Sequence, residues 1–215
     1  MREPAISGYR YGHAGLNHSH GVLLPAVLDL ITELERFDTL GGHRRRRLFE
    51  LGCGNGSVAH ALTERGWDVT GVDPSAEGIA QAQPAYPHLN LQLGSAYDDL
   101  AAQYGRFPVV LSLEVVGHVD APRDYARTVF DLLENGGVAL LSTPYHGYWK
   151  NLALALTGKM DAHFTALWDH GHIKFWSMKT LAELLREAGF INVHFERAGG
   201  MPALAKSMIA IAWKP

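Results

Sequence analysis

Apolar positions along this chain follow two periodicities that take turns. Dense or alternating apolar runs at RLFEL (47–51), WDVTGVD (67–73), NLQLGSA (90–96), PVVLSLEV (108–115) and GGVALLST (136–143) predict strands. Between them Ser57 to Arg65, Ser75 to Ala82 and Pro122 to Leu133 read as helices, the second with Ser75 as its N-cap. Strands alternating with helices imply a parallel sheet covered on both faces, and the nearly all-apolar run at 108–115 suits its centre. After an interruption at 145–176, Met178 to Ala188 predicts a helix closed by Gly189. INVHFER (191–197) and SMIAIAWK (207–214) then predict two last strands paired antiparallel. The expected fold is α/β, with seven mostly parallel strands, helices on both faces and an antiparallel last strand.

Two segments stand outside the alternation. Near the N-terminus Val22, Leu23, Leu24, Val27, Leu28, Leu30 and Ile31 predict an added helix, and residues 145–176 hold seven aromatics and four histidines. We expect one domain over 1–215, with 1–43 as a helical cap and 145–176 as a lid over a substrate pocket. At 215 residues the chain can bury a full core by itself. Hydrophobic residues at 47% and charged residues at 19% fit an ordinary globule, and a net charge of −3 offers no general attraction to phosphate backbones. The expected partner is therefore a small molecule and not nucleic acid. Cys53 is the only cysteine, so no disulfide forms within the chain. Without the apolar core of a signal peptide or a run of about 20 apolar residues, stable membrane insertion is not expected. The expected location is the cytoplasm and the expected state a monomer or homodimer.

The strongest local signal is LFELGCGNGS (48–57), a strand running into Gly52, Gly54 and Gly56 before a helix. Glycines there let a backbone approach a ligand closely, and the following helix offers unpaired N–H groups. Ser57 stands where a dinucleotide fingerprint has its third glycine, which weakens a diphosphate reading. A bare strand-to-helix turn would use the same residues. Asp73, ending the second strand, can accept both hydroxyls of a ribose or cap the helix after Pro74. Glu50 points at the same crevice; the amino group of a bound amino-acid moiety needs such an acid, whereas a nicotinamide does not.

ELGCGNG, VDPS, LSLEVVGHV and GGVALLSTP, in this order, resemble the motifs of class I S-adenosylmethionine-dependent methyltransferases over residues 47 to 214. LEVVGHV followed by STPYHGYWKN and a histidine-containing insertion is most similar to the ubiquinone-biosynthesis type of O-methyltransferase. The resemblance implies a Rossmann-like sheet and S-adenosylmethionine as cofactor, with S-adenosylhomocysteine as product. It also implies that the loop of Gly52, Cys53, Gly54, Asn55 and Gly56 holds the methionine end and that Asp73 holds the ribose. Pro74 and Ser75 would pack against the adenosine, Ser95 and Ala96 would border the adenine, and Leu113, Glu114 and Val115 would floor the sulfonium.

Transfer to a hydroxyl requires a base, and His118, following the fourth strand at the crevice, is the candidate, with Glu114 beside it. The same histidine could instead brace the helix that starts near Asp120. Some ubiquinone-type relatives carry a second acid directly before this histidine; here the position is Gly117. Glu114 and His118 alone make a poor hard-cation site, so metal-independent catalysis is expected. The pairs His18/His20 and His170/His172 supply two imidazoles each, too few for a closed zinc site, and read better as borders of the acceptor pocket. Tyr11, His20, Tyr145, His146 and Trp149 are the candidate substrate residues. Two rivals stay open: a short-chain nicotinamide oxidoreductase, whose Tyr-x-x-x-Lys pair is absent, and a cofactor-binding protein without turnover.

Overall fold

The computed structural model describes residues 10–36, 46–164, 166–168 and 171–215, with backbone alone at 18 and 19. Its strands are β1 (Arg47–Leu51), β2 (Asp68–Asp73), β3 (Asn90–Leu93), β4 (Phe107–Ser112), β5 (Leu133–Pro144), β6 (Ile191–Ala198) and β7 (Ser207–Trp213). They form one sheet in the order β3-β2-β1-β4-β5-β7-β6, with β7 antiparallel to both neighbours and the other pairs parallel. From β1 the chain winds outward through β2 and β3 and then returns to place β4 on the other side. That reversal opens a crevice at the carboxyl ends of β1 and β4, where ligands bind in sheets of this kind.

Alternation along the strands sorts side chains onto two faces. Leu48, Val109, Leu111 and Leu140 face one apolar layer with helices α1 (His18–Arg36), α2 (Ser57–Thr63) and α3 (Ala76–Ala85). Phe49, Val110, Ala139 and Leu141 face the other, beneath α4 (Leu100–Tyr104), α5 (Pro122–Leu132) and α8 (Met178–Glu187). The N-terminal addition belongs to the first layer, because α1 buries Leu23, Val27, Ile31 and Leu34 against it.

Local chemistry accounts for several of the boundaries. Ser75 caps α3 by accepting from Gly78 N, and Ser177 with Thr180 forms a reciprocal capping box at the start of α8. The third strand ends at Leu93 and not at 96, because Asp98 Oδ2 accepts from Ser95 N at 2.7 Å and turns the chain. The sequence reading has no counterpart of α4, a five-residue helix capped by Asp99. The interruption at 145–176 contains helices α6 (Tyr148–Leu156) and α7 (Met160–Phe164). Among the described residues no helix is long and apolar enough to cross a membrane.

Candidate active site at the sheet's switch point

A cavity of about 360 Å³ occupies the crevice, within the size range of small-molecule sites. Glu50, Gly52, Cys53, Gly54, Asp73, Pro74, Ser95, Ala96, Leu113, Glu114, Val115 and His118 all line it, as do Tyr11 and His20 from the N-terminal segment. Asn55, Gly56 and Ser75 lie outside its lining, and so do Tyr145, His146 and Trp149. Trp149 is 65% exposed, Tyr145 has the Arg197 guanidinium over its ring at 5.3 Å, and His146 packs among His163, Phe164 and Phe175. Of the paired histidines, the side chain of His18 and all of His170 lie outside the described residues, while His20 and His172 reach the cavity wall.

The glycine loop is shaped by close approach. Gly52 and Gly54 have φ of 90° and 54°, and a Cβ on either would collide, with Val115 at the first and with the Tyr11 ring at the second. The amides of Gly52 and Cys53 both donate to Val72 O, at 2.8 and 3.1 Å, which folds the loop back over β2. Asp73 completes the arrangement: its Oδ2 accepts from Gly54 N and its Oδ1 from Ser75 N, each at 2.8 Å. Each carboxylate oxygen keeps a lone pair for a ligand hydroxyl.

The ends of β1 and β2 bring two buried acids to the cavity. Glu50 is 2% exposed, and its Oε2 has no hydrogen-bond partner. Burial first, and the nearby charge of Asp73 second, push its carboxyl well above the usual range. Burial raises Asp73 to about 6 against the two amides that favour its charged form. The Cys53 thiol is pushed up by the same burial and by both acids. Two withdrawn carboxyls, one with an orphaned oxygen, form a site that gains when a cationic or hydroxyl-bearing ligand arrives. S-adenosylmethionine has an ammonium, a sulfonium and a ribose diol, so these residues fit it.

Asn55 serves the N-terminal segment. Its amide donates to His13 O at 2.7 Å and Gly15 O at 3.1 Å, while Tyr86 OH donates to Ala14 O at 2.7 Å. Gln81 Nε2 donates to Tyr11 O. Residues 11–17 are thus strapped across the glycine loop and bring Tyr11, Asn17 and His20 to the cavity. Burial lowers His20 to about 4, so its ring is neutral near pH 7.

Just beyond β4, Glu114 has φ of 61°, a conformation that costs a non-glycine residue strain. It is held by its own amide, which donates to Ser142 Oγ at 3.0 Å, and by Ser142 Oγ donating to its Oε1 at 2.8 Å. Burial lifts this carboxyl to about 7, opposed by the hydroxyls of Ser142 and Ser207 and by the Lys150 ammonium. His118, fixed through its amide to Val115 O at 2.8 Å, stands beside Trp168 and His172 of the insertion. Asn17, Tyr97 and Trp168 are lining residues that the sequence reading did not single out for the site. Their signal was only that of aromatic or polar residues in segments flanking the core.

A family model described as a methyltransferase domain matches residues 26–195. The ubiquinone biosynthesis O-methyltransferase of Ruegeria pomeroyi is 34% identical over 182 residues, 78% of this chain and 71% of that protein. That of Caulobacter sp. (strain K31) is 35% identical over 157 residues, 68% of this chain and 61% of that protein. The chain thus spans about three-fifths of the length of this second relative. Among solved structures, a SAM-dependent methyltransferase from Archaeoglobus fulgidus superposes with a TM-score of 0.60 at 16% identity, covering 86% of this chain and 94% of that one. Human N-acetylserotonin methyltransferase in complex with SAM gives 0.59 at 15% identity, covering 82% and 48%. The nicotinamide and non-catalytic readings find no support among these four. With the family model covering most of its length, the chain belongs to the methyltransferase-domain family, that of the class I S-adenosylmethionine-dependent methyltransferases.

Proposed function

We propose that this protein transfers the methyl group of S-adenosylmethionine to an oxygen of a small apolar or aromatic acceptor. The observation that carries the reading is a single cavity lined both by buried acids, one with an orphaned oxygen, and by an imidazole flanked by aromatic rings. Glu50 receives the amino group, Asp73 the ribose hydroxyls, Pro74, Ser95 and Ala96 the adenosine, and Leu113 to Val115 form the floor. Bound there, the cofactor supplies a methyl carbon on a positively charged sulfur, a centre that needs alignment and exclusion of water more than covalent help. His118 takes the proton of the acceptor hydroxyl, a role that needs a neutral imidazole within hydrogen-bond reach. Glu114, tied to Ser142, holds the loop that presents it. Oxygen as the acceptor atom follows the names of the relatives, and the aromatic residues of the wall favour an apolar ring.

The same reading takes residues 1–215 as one domain, with 1–43 as its cap and 145–176 as its lid. It expects a cytoplasmic monomer or homodimer with no nucleic-acid partner and no resident metal. The test is incubation of the whole chain with methyl-labelled cofactor and a panel of phenols, enols, amines and carbon acids. Label recovered in a methyl ether is the expected result; label on nitrogen or carbon alone, or in no product, contradicts it.

A further inference from the structure

Gly117 and His172 share one space. A Cβ built on Gly117 would stand 2.6 Å from His172 Cδ2, so the ring sits where a side chain at 117 would have to go. The backbone is pinned at the same point, because Gly117 O accepts from Ile173 N at 2.9 Å and from Lys174 N at 3.0 Å. Two residues further on, Trp176 Nε1 donates to Val116 O at 2.9 Å. Residues 172–176 are therefore laid along the loop that carries His118. The two imidazoles lie 4.2 Å apart with a tilt of 36°, and Trp168 meets both edge-on, at 5.8 Å from His118 and 5.7 Å from His172.

We propose that His172 is a positioning residue for His118: entering from the insertion through the gap at Gly117, it holds the imidazole toward the acceptor and supports it once protonated. The proposal rests on the methyl-transfer reading above. When the acceptor's O–H proton moves to His118, the ring becomes an imidazolium with no carboxylate at position 117. A neutral aromatic face within about 6 Å attracts such a cation. Burial, with the neighbouring histidines, lowers His172 to about 4, so it presents that face uncharged near pH 7. Its Nε2 is buried and has no partner in the structure.

Two experiments on the whole chain test this. The other ionisable groups around the pair, Glu114 and Asp120 in the cavity lining and His146 and His163 in the insertion, stay unchanged in both, as does Lys150, which acts on those two histidines. In the first, Gly117→Ala and His172→Ala are each expected to lower kcat about tenfold at unchanged cofactor KM, and the double variant also about tenfold, because both act on one contact. A double loss near a hundredfold would overturn the coupling. In the second, His172→Leu keeps the space filled and dry but removes the flat ring. The titration midpoint of His118, read from its imidazole proton resonances, then falls, and the acid limb of the kcat–pH profile moves down with it. A midpoint unchanged or raised would overturn the proposal. The resonance titration requires no turnover, so it separates failure of this inference from failure of the methyl-transfer reading.

Discussion

Glu50 and Asp73 sit at the carboxyl ends of two hydrogen-bonded parallel strands, β1 and β2, and the charge of Asp73 adds to burial in raising the Glu50 carboxyl. The apoprotein thus holds two acids in a place that disfavours their ionised forms, which a cationic ligand reverses. Both carboxyls titrate higher in the folded chain than in the unfolded one, so between the two values the folded state binds more protons. Apoprotein stability from these groups is therefore present at low pH and lost as pH rises, for Asp73 from 3.8 through about 6. Cofactor binding tightens over the same rise.

Glu50→Gln replaces an acid whose ionised form burial disfavours with a neutral isostere. It should stabilise the apoprotein at pH 7.5 by about 1–3 kcal/mol and weaken S-adenosylhomocysteine binding at least tenfold. Thermal melts with and without ligand check both halves; a destabilised variant with full affinity would contradict the assignment.

Asn55→Ala cuts both hydrogen bonds from the glycine loop to His13 O and Gly15 O. With each bond worth about 1 kcal/mol, amide exchange over residues 11–17 should accelerate about tenfold or more. Cofactor affinity should drop severalfold as Tyr11 and His20 leave the wall. Exchange unchanged by the substitution would show that the strap is held elsewhere.

His118→Ala should lower kcat about a hundredfold or more while the dissociation constant for S-adenosylhomocysteine stays within about twofold. Undiminished turnover would reduce His118 to a brace for the helix that follows.

Ile31→Ala tests whether α1 is core or appendage. Ile31 is 2% exposed in the layer shared with β1 and β4, so the truncation should cost about 2–4 kcal/mol in urea unfolding. A cost below 0.5 kcal/mol would mean that the helix docks weakly.

The central sheet was legible because its evidence is local: apolar runs of strand length, Gly52 to Gly56 at a strand-to-helix turn and Asp73-Pro74 closing the next strand. The antiparallel pairing of β6 with β7 also follows from sequence order. By contrast, α4 is held by one cap and one buried leucine, too little signal over five residues. Asn55 belonged to a cofactor motif, yet its side chain is spent on carbonyls 40 and 42 residues away. The contact between Gly117 and His172 spans 55 residues of chain, from Gly117 to His172, and depends on an absent side chain. No periodicity records such a gap.

The most direct test of the account is a calorimetric titration of the whole chain with S-adenosylhomocysteine, repeated on Asp73→Ala, with NADH as the competing ligand. The account predicts micromolar binding of S-adenosylhomocysteine, weakened at least tenfold by Asp73→Ala, an expected loss of about 1.5–3 kcal/mol for a charge-assisted hydrogen bond. Binding of NADH alone, or affinity for S-adenosylhomocysteine indifferent to Asp73, would contradict it.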